Sequence, residues 1–186
     1  MLILPIEHDL LRKLVATPSV SGTEELVALF VERWALEHGL DVTRDETGVK
    51  VQVAGNMPGA TLALVSHLDV VPPGDGWTRD PFGAQVIDGC LYGRGSGDAK
   101  ASVAAMLAAA LRAKGDSADF GGHLLVILGY GEETRHTSMP RALANTRMID
   151  AAVIGEPTNL DFAIAQRGLM MIDLVAKGDQ RHAAYA

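Results

Sequence analysis

The stretch LVSHLDVVPP, residues 64–73, carries an apolar run straight into a histidine and an aspartate two residues apart, and two prolines then stop it. Read from Thr61, TLALVSH is almost uniformly apolar, the pattern of a central strand covered on both faces. His67 and Asp69 therefore lie at the strand's C-terminal end. In an extended segment their side chains point to the same side, so Asp69 is placed to accept one ring N–H of His67 and fix its tautomer.

The same arrangement recurs along the chain. HLLVILGYG reads as a buried strand that runs into Glu132 and Glu133, and AAVIG as a short one that runs into Glu156. Asp98 follows a glycine-rich loop and opens an alanine-rich helix whose face is Val103, Met106, Leu107, Ala110 and Leu111. Upstream, Leu10, Leu11, Leu14 and Val15 predict a helix over 6–16 ended by Pro18. Leu26, Phe30, Val31, Trp34 and Ala35 predict a second, capped by Ser21 or Thr23 and closed at Gly39. LDVTRDE and VKVQVAG alternate around Thr47 and Gly48 as a hairpin, and AQVIDGCLYG forms another inside a long loop over 72–97. SMPRALANT predicts a helix, and FAIAQRG and LMMIDLVAKG two last strands. Helices alternate with apolar strands, so the fold class is α/β.

In open α/β sheets ligands collect at the carboxyl ends of the strands, where these acidic residues and His67 are expected to converge. Five carboxylates and one imidazole at one place repel one another unless a cation neutralises them. Imidazole with carboxylates and no thiolate suits Zn2+, with Co2+ or Mn2+ as substitutes; magnesium and calcium rarely take histidine. Each residue also has an ordinary structural reading. Asp98 can cap its helix, and Glu132 and Glu133 can be a charge pair at a helix N-terminus.

Composition points the same way. Of 186 residues, 48% are hydrophobic and 21% charged, a globular balance, and the net charge of -7 argues against nucleic acid or an anionic membrane as partner. The single cysteine, Cys90, cannot form an intrachain disulfide, and MLILPIEHD lacks a basic leader, so the expected location is cytoplasmic.

SHLDVVP, LYGRGSGDAK, GEE, GEPT and KGDQRHAAY, in this order, resemble the dinuclear-zinc deacylases and exopeptidases that include acetylornithine deacetylase and succinyl-diaminopimelate desuccinylase. The resemblance implies a zinc-exopeptidase-like, mixed and mostly parallel sheet flanked by helices, an incomplete catalytic domain over 1–174 and the beginning of a lid and dimerisation domain over 175–186. It implies His67 and Glu156 as ligands of one metal, Asp98 as the carboxylate bridging two, Glu133 as ligand of the second, Glu132 as general base and Asp69 as partner of His67. It further implies a cis peptide after Asp98, and His182 as a lid histidine that reaches a developing oxyanion across a homodimer.

The implied reaction is amide hydrolysis of an N-acyl amino acid, Glu132 taking a proton from water and returning it to the leaving amine. Glu156 in GEPT resembles the deacylase branch, which favours acetylornithine, releasing acetate and ornithine; the desuccinylase, a related metallo-exopeptidase or a non-catalytic metal-binding fragment are the alternatives. Because the matched family members also carry a returning segment with a last histidine ligand, a mononuclear site and low activity are expected of this chain. EETRHTSMP departs from the family, which has small residues after the paired glutamates. It places His136 beside them in sequence without assigning it a role.

Overall fold

The computed structural model describes residues 5–134, 136–146, 148–165, 167, 168, 172 and 174–178. Helices α1 (Ile6–Ala16) and α2 (Glu25–Glu37) lead into the hairpin β1 (Asp41–Asp45) and β2 (Gly48–Ala54), then β3 (Met57–His67). A loop holding β4 (Gln85–Ile87) and β5 (Cys90–Tyr92) precedes α3 (Lys100–Gly115), β6 (Gly121–Gly129), α4 (Ser138–Ala144) and β7 (Ala151–Ile154). The main sheet runs β1-β2-β6-β3-β7; β1, β2 and β6 pair antiparallel, and β3 is parallel to both β6 and β7.

Period-two patterning decides the layers. Val126 and Leu128 of β6 face one way into the larger core with Leu14, Val27, Val31, Val103 and Leu107, under α1, α2 and α3. Leu125 and Ile127 face the other way and pack with Ala63, Val65 and Ala142, under α4. The parallel register sets Ala63 beside Leu125 and Val65 beside Ile127, so β3 and β6 supply both faces in step. From β3 the chain crosses by α3 to β6 on one side and returns by α4 to β7 on the other. With crossovers of one hand, reversing direction puts the two helices on opposite faces. The C-terminal end of β3 is thereby a topological switch point.

Several sequence expectations are corrected. Ser21 and Thr23 do not cap α2: Glu24 holds that position with no side-chain cap, and the Thr23 hydroxyl donates to the Val20 carbonyl at 2.6 Å. Leu26 is 65% exposed, and Val27 and Ala28 are buried in its place, because the helix is rotated to meet the hairpin. Asp98 does not cap α3, whose first position is preceded by Ala99 without a side-chain cap. The described residues of FAIAQRG and LMMIDLVAKG form no strand; Phe162, Ile164 and Leu174 are exposed, and among the described residues no neighbouring strand supplies partners for their backbone. The expected hairpins and the other expected helices are all present, and the Asp98–Ala99 peptide is cis.

Lys100 ties two layers together. It is fully buried at the start of α3, and its Nζ donates to the Leu14 and Thr17 carbonyls at 2.9 and 2.8 Å. These carbonyls close the last turn of α1, where a helix leaves its acceptors unpaired. Burial pulls the Lys100 ammonium down to about 8. Lys100→Met fills the same space but strands the Thr17 carbonyl and leaves the Leu14 carbonyl only the Thr17 N–H, so it is expected to cost about 1–3 kcal/mol in urea unfolding.

Candidate functional site

The switch point brings the expected residues together from four segments. His67 ends β3 and is buried, with Nε2 3.2 Å from Asp98 Oδ1 and 3.9 Å from Glu156 Oε2. Asp98 arrives on the loop before α3 and Glu156 just past β7, with side chains 52% and 36% exposed. The approach of Glu156 depends on Gly155, where a Cβ would lie 2.6 Å from Ser102 Cβ on α3. Glu132 and Glu133 follow β6 on the other side of β3, in a turn opened by Gly131 at a φ of 64°.

Asp69 organises this rim. Its carboxylate is wholly buried and accepts the Ser21 hydroxyl at 2.7 Å and the backbone N–H groups of Glu132 and Glu133 at 3.0 and 3.1 Å. His67 Nδ1 lies 3.0 Å from the Asp69 carbonyl oxygen and 3.3 Å from Oδ1, so both the backbone and the side chain of Asp69 hold the ring. That leaves Nε2 facing Asp98 and Glu156. Glu24 makes a parallel tie: Oε1 accepts the N–H groups of Gly22 and Gly131 at 3.0 and 3.1 Å.

The charges respond to this crowding. Burial alone would raise Asp69, but His67, Ser21 and the two backbone donors outweigh it and hold the carboxyl low. Burial alone would lower His67, yet Asp69, then the charges of Glu156 and Glu132, raise it to about 9. Glu133 is pushed up by burial and then by Asp98, Glu156 by burial and by its carboxylate neighbours against the pull of His67. Among the described residues, the ion-pair partners of Asp98, Glu132 and Glu156 are histidines, with no lysine or arginine.

One ligand atom from each of His67, Asp98 and Glu156 lies within 4.8 Å of the others, and the same holds for His67, Glu132 and Glu133. A lone imidazole among carboxylates, with its far nitrogen held, is a donor set that fits a zinc-like divalent cation. The first group is the one expected for the first metal. Glu133 falls in the second with His67 and Glu132, although the Asp98 charge still reaches it. His182 lies outside the described residues. Trp77 donates Nε1–H to the Pro73 carbonyl at 2.7 Å and Arg94 stacks over its ring, so it packs the long loop.

Sequence reasoning missed Ser21, Glu24 and Lys100. The polar SVSGT segment was a visible signal, but it also suits a helix cap, and only the approach of Asp69 separates the two uses.

Residues 63–168 match the model of peptidase family M20/M25/M40. The chain belongs to this family. Succinyl-diaminopimelate desuccinylase 2 of Ruegeria sp. (strain TM1040) is 36% identical over 97% of this chain and 49% of its own length. The chain thus spans about half the length of the curated relatives it matches. Among solved structures, the M20 family metallo-carboxypeptidase Sso-CP2 from Sulfolobus solfataricus aligns with a TM-score of 0.70 at 21% identity, covering 82% of this chain and 37% of that one. The Bacillus subtilis YXEP protein, a dinuclear metal binding peptidase from the M20 family, aligns with a TM-score of 0.61 at 19% identity, covering 80% and 42%. The M20/M25/M40 fold accounts for the mixed sheet flanked by helices, and no helix among the described residues is long and apolar enough to cross a membrane.

Asp69→Ala leaves the Ser21 hydroxyl and two partly buried N–H groups without their acceptor. It is expected to cost about 3 kcal/mol or more, against about 1.5–3 kcal/mol for Ser21→Ala, measured by urea unfolding.

Proposed function

We propose that the chain is the metal-binding part of an amide hydrolase acting on N-acyl amino acids. The observation that carries this reading is His67, with Nδ1 held by Asp69 and Nε2 turned to Asp98 and Glu156. In it His67, Asp98 and Glu156 hold one divalent ion, zinc with Co2+ or Mn2+ as substitutes; Asp98 and Glu133 reach toward a second. Such ions, when bound, acidify a water and polarise an amide carbonyl. Glu132 takes the water's proton on its carboxylate and delivers it to the amine nitrogen as the C–N bond breaks. Asp69 fixes the tautomer and plane of His67.

The substrate is an N-succinyl rather than an N-acetyl amino acid. Acetylornithine is what GEPT favoured in the sequence, but the name borne by the Ruegeria relative is desuccinylase, which supports the alternative. Residues 1–174 are read as part of a catalytic domain and 175–186, with His182, as the start of a lid that meets a second copy. The exposed Val153 and Ile154 on the outermost strand β7 favour a sheet that continues in a longer protein.

Calorimetric titration of chelator-treated protein with Zn2+ tests the metal reading. Wild type is expected to bind and to gain melting temperature, and His67→Ala, Asp98→Ala and Glu156→Ala to lose both; equal binding by all four overturns it. Parallel hydrolysis assays on N-succinyl-diaminopimelate and N-acetylornithine decide the substrate. A kcat/KM ratio of roughly tenfold or more for the succinyl compound is expected.

A further inference from the structure

The turn that carries the paired glutamates closes on a side chain with no part in the reading above. The N–H of His136 donates to the Gly131 carbonyl at 3.0 Å, folding the chain back on itself. His136 has a φ of 52°, in the left-handed region that most side chains avoid and histidine enters more readily. The closure brings the imidazole back over the turn, and Nε2 stands 2.9 Å from Oε1 of Glu132.

Two roles compete for Glu132. It groups with His67 and Glu133 closely enough to serve as a ligand, whereas a base must keep an oxygen free to take a proton. A hydrogen bond from the imidazole takes one lone pair of Oε1 and fixes the plane of the carboxylate, which disfavours closure of both its oxygens on one cation. We propose that His136 is a positioning residue that holds Oε1 of Glu132 and so keeps Glu132 a proton acceptor rather than a further metal ligand; this rests on the metal-site reading of His67, Asp98 and Glu156. The His136 side chain is 60% exposed, so its contact with Glu132 carries little of the fold's stability; at a φ of 52° asparagine is a better-tolerated replacement than alanine.

Titration of the metal-free protein with Co2+, followed by calorimetry and by visible absorption, tests the assignment. In His136→Ala, Glu132 is released to the ion. Affinity should rise on the order of tenfold, the scale on which partners of metal ligands act, and the visible bands should weaken as the coordination number grows. The change should vanish when Glu132→Gln is added. His136→Gln, which keeps a donor of similar reach, should stay like wild type, whereas His136→Asn, too short to reach, should follow His136→Ala at an unchanged melting temperature. Identical titrations for wild type and His136→Ala overturn the proposal alone. So does persistence of the effect with Glu132→Gln, or a His136→Gln variant that matches His136→Ala, since charge rather than contact would then be responsible. Failure of wild type to bind Co2+ overturns the metal reading and this proposal with it.

Discussion

A buried carboxylate must be surrounded by donors or it will not stay charged, and Asp69 turns that requirement into architecture. Its donors come from the turn before α2, from the backbone after β6 and from the ring of His67. Each is drawn in because the alternative is an unpaired charge with no exposure to water. The rim of the sheet is therefore fixed from beneath, and the exposed carboxylates above it inherit their positions.

Those carboxylates stand in a field they create for one another. Glu133 and Glu156 are raised, and His67 is raised to about 9 despite complete burial. Lys100, two residues past Asp98, does not relieve them, because its ammonium is spent on the carbonyls that end α1. The protein thus uses one buried cation for its frame and leaves the rim electron-rich. A divalent ion among His67, Asp98 and Glu156 answers that imbalance, and membership of peptidase family M20/M25/M40 agrees with it.

Much of this was legible before any coordinates. TLALVSH and HLLVILGYG announce buried strands by composition, and the hairpin around Gly48 by alternation, since both signals depend on near neighbours in the chain. His67, Glu132, Glu133 and Glu156 stood out because they directly follow apolar strands, and Asp98 because it opens a helix after a glycine-rich loop; each has an ordinary local reading, and their recurrence at strand ends is what set them apart. What misled was also local. Leu26 has the right spacing for a buried face, yet α2 turns Val27 and Ala28 inward to meet the hairpin. FAIAQRG has strand composition, but a strand needs a neighbour, and composition does not supply one.

By itself the sequence determined which residues were chemically out of place and what kind of ion would reconcile them, because side-chain chemistry and period-two patterning are written residue by residue. Only the tertiary structure decided that they meet. The order β6-β3-β7 sets the ends of two crossovers on either side of His67; a buried aspartate holds the β6 side through two backbone amides and the turn before α2 through a serine, and Gly155 bonds the β7 side to Val65 and Ser66. Strand order and backbone donors depend on contacts between segments far apart in the chain, which no single stretch of it encodes.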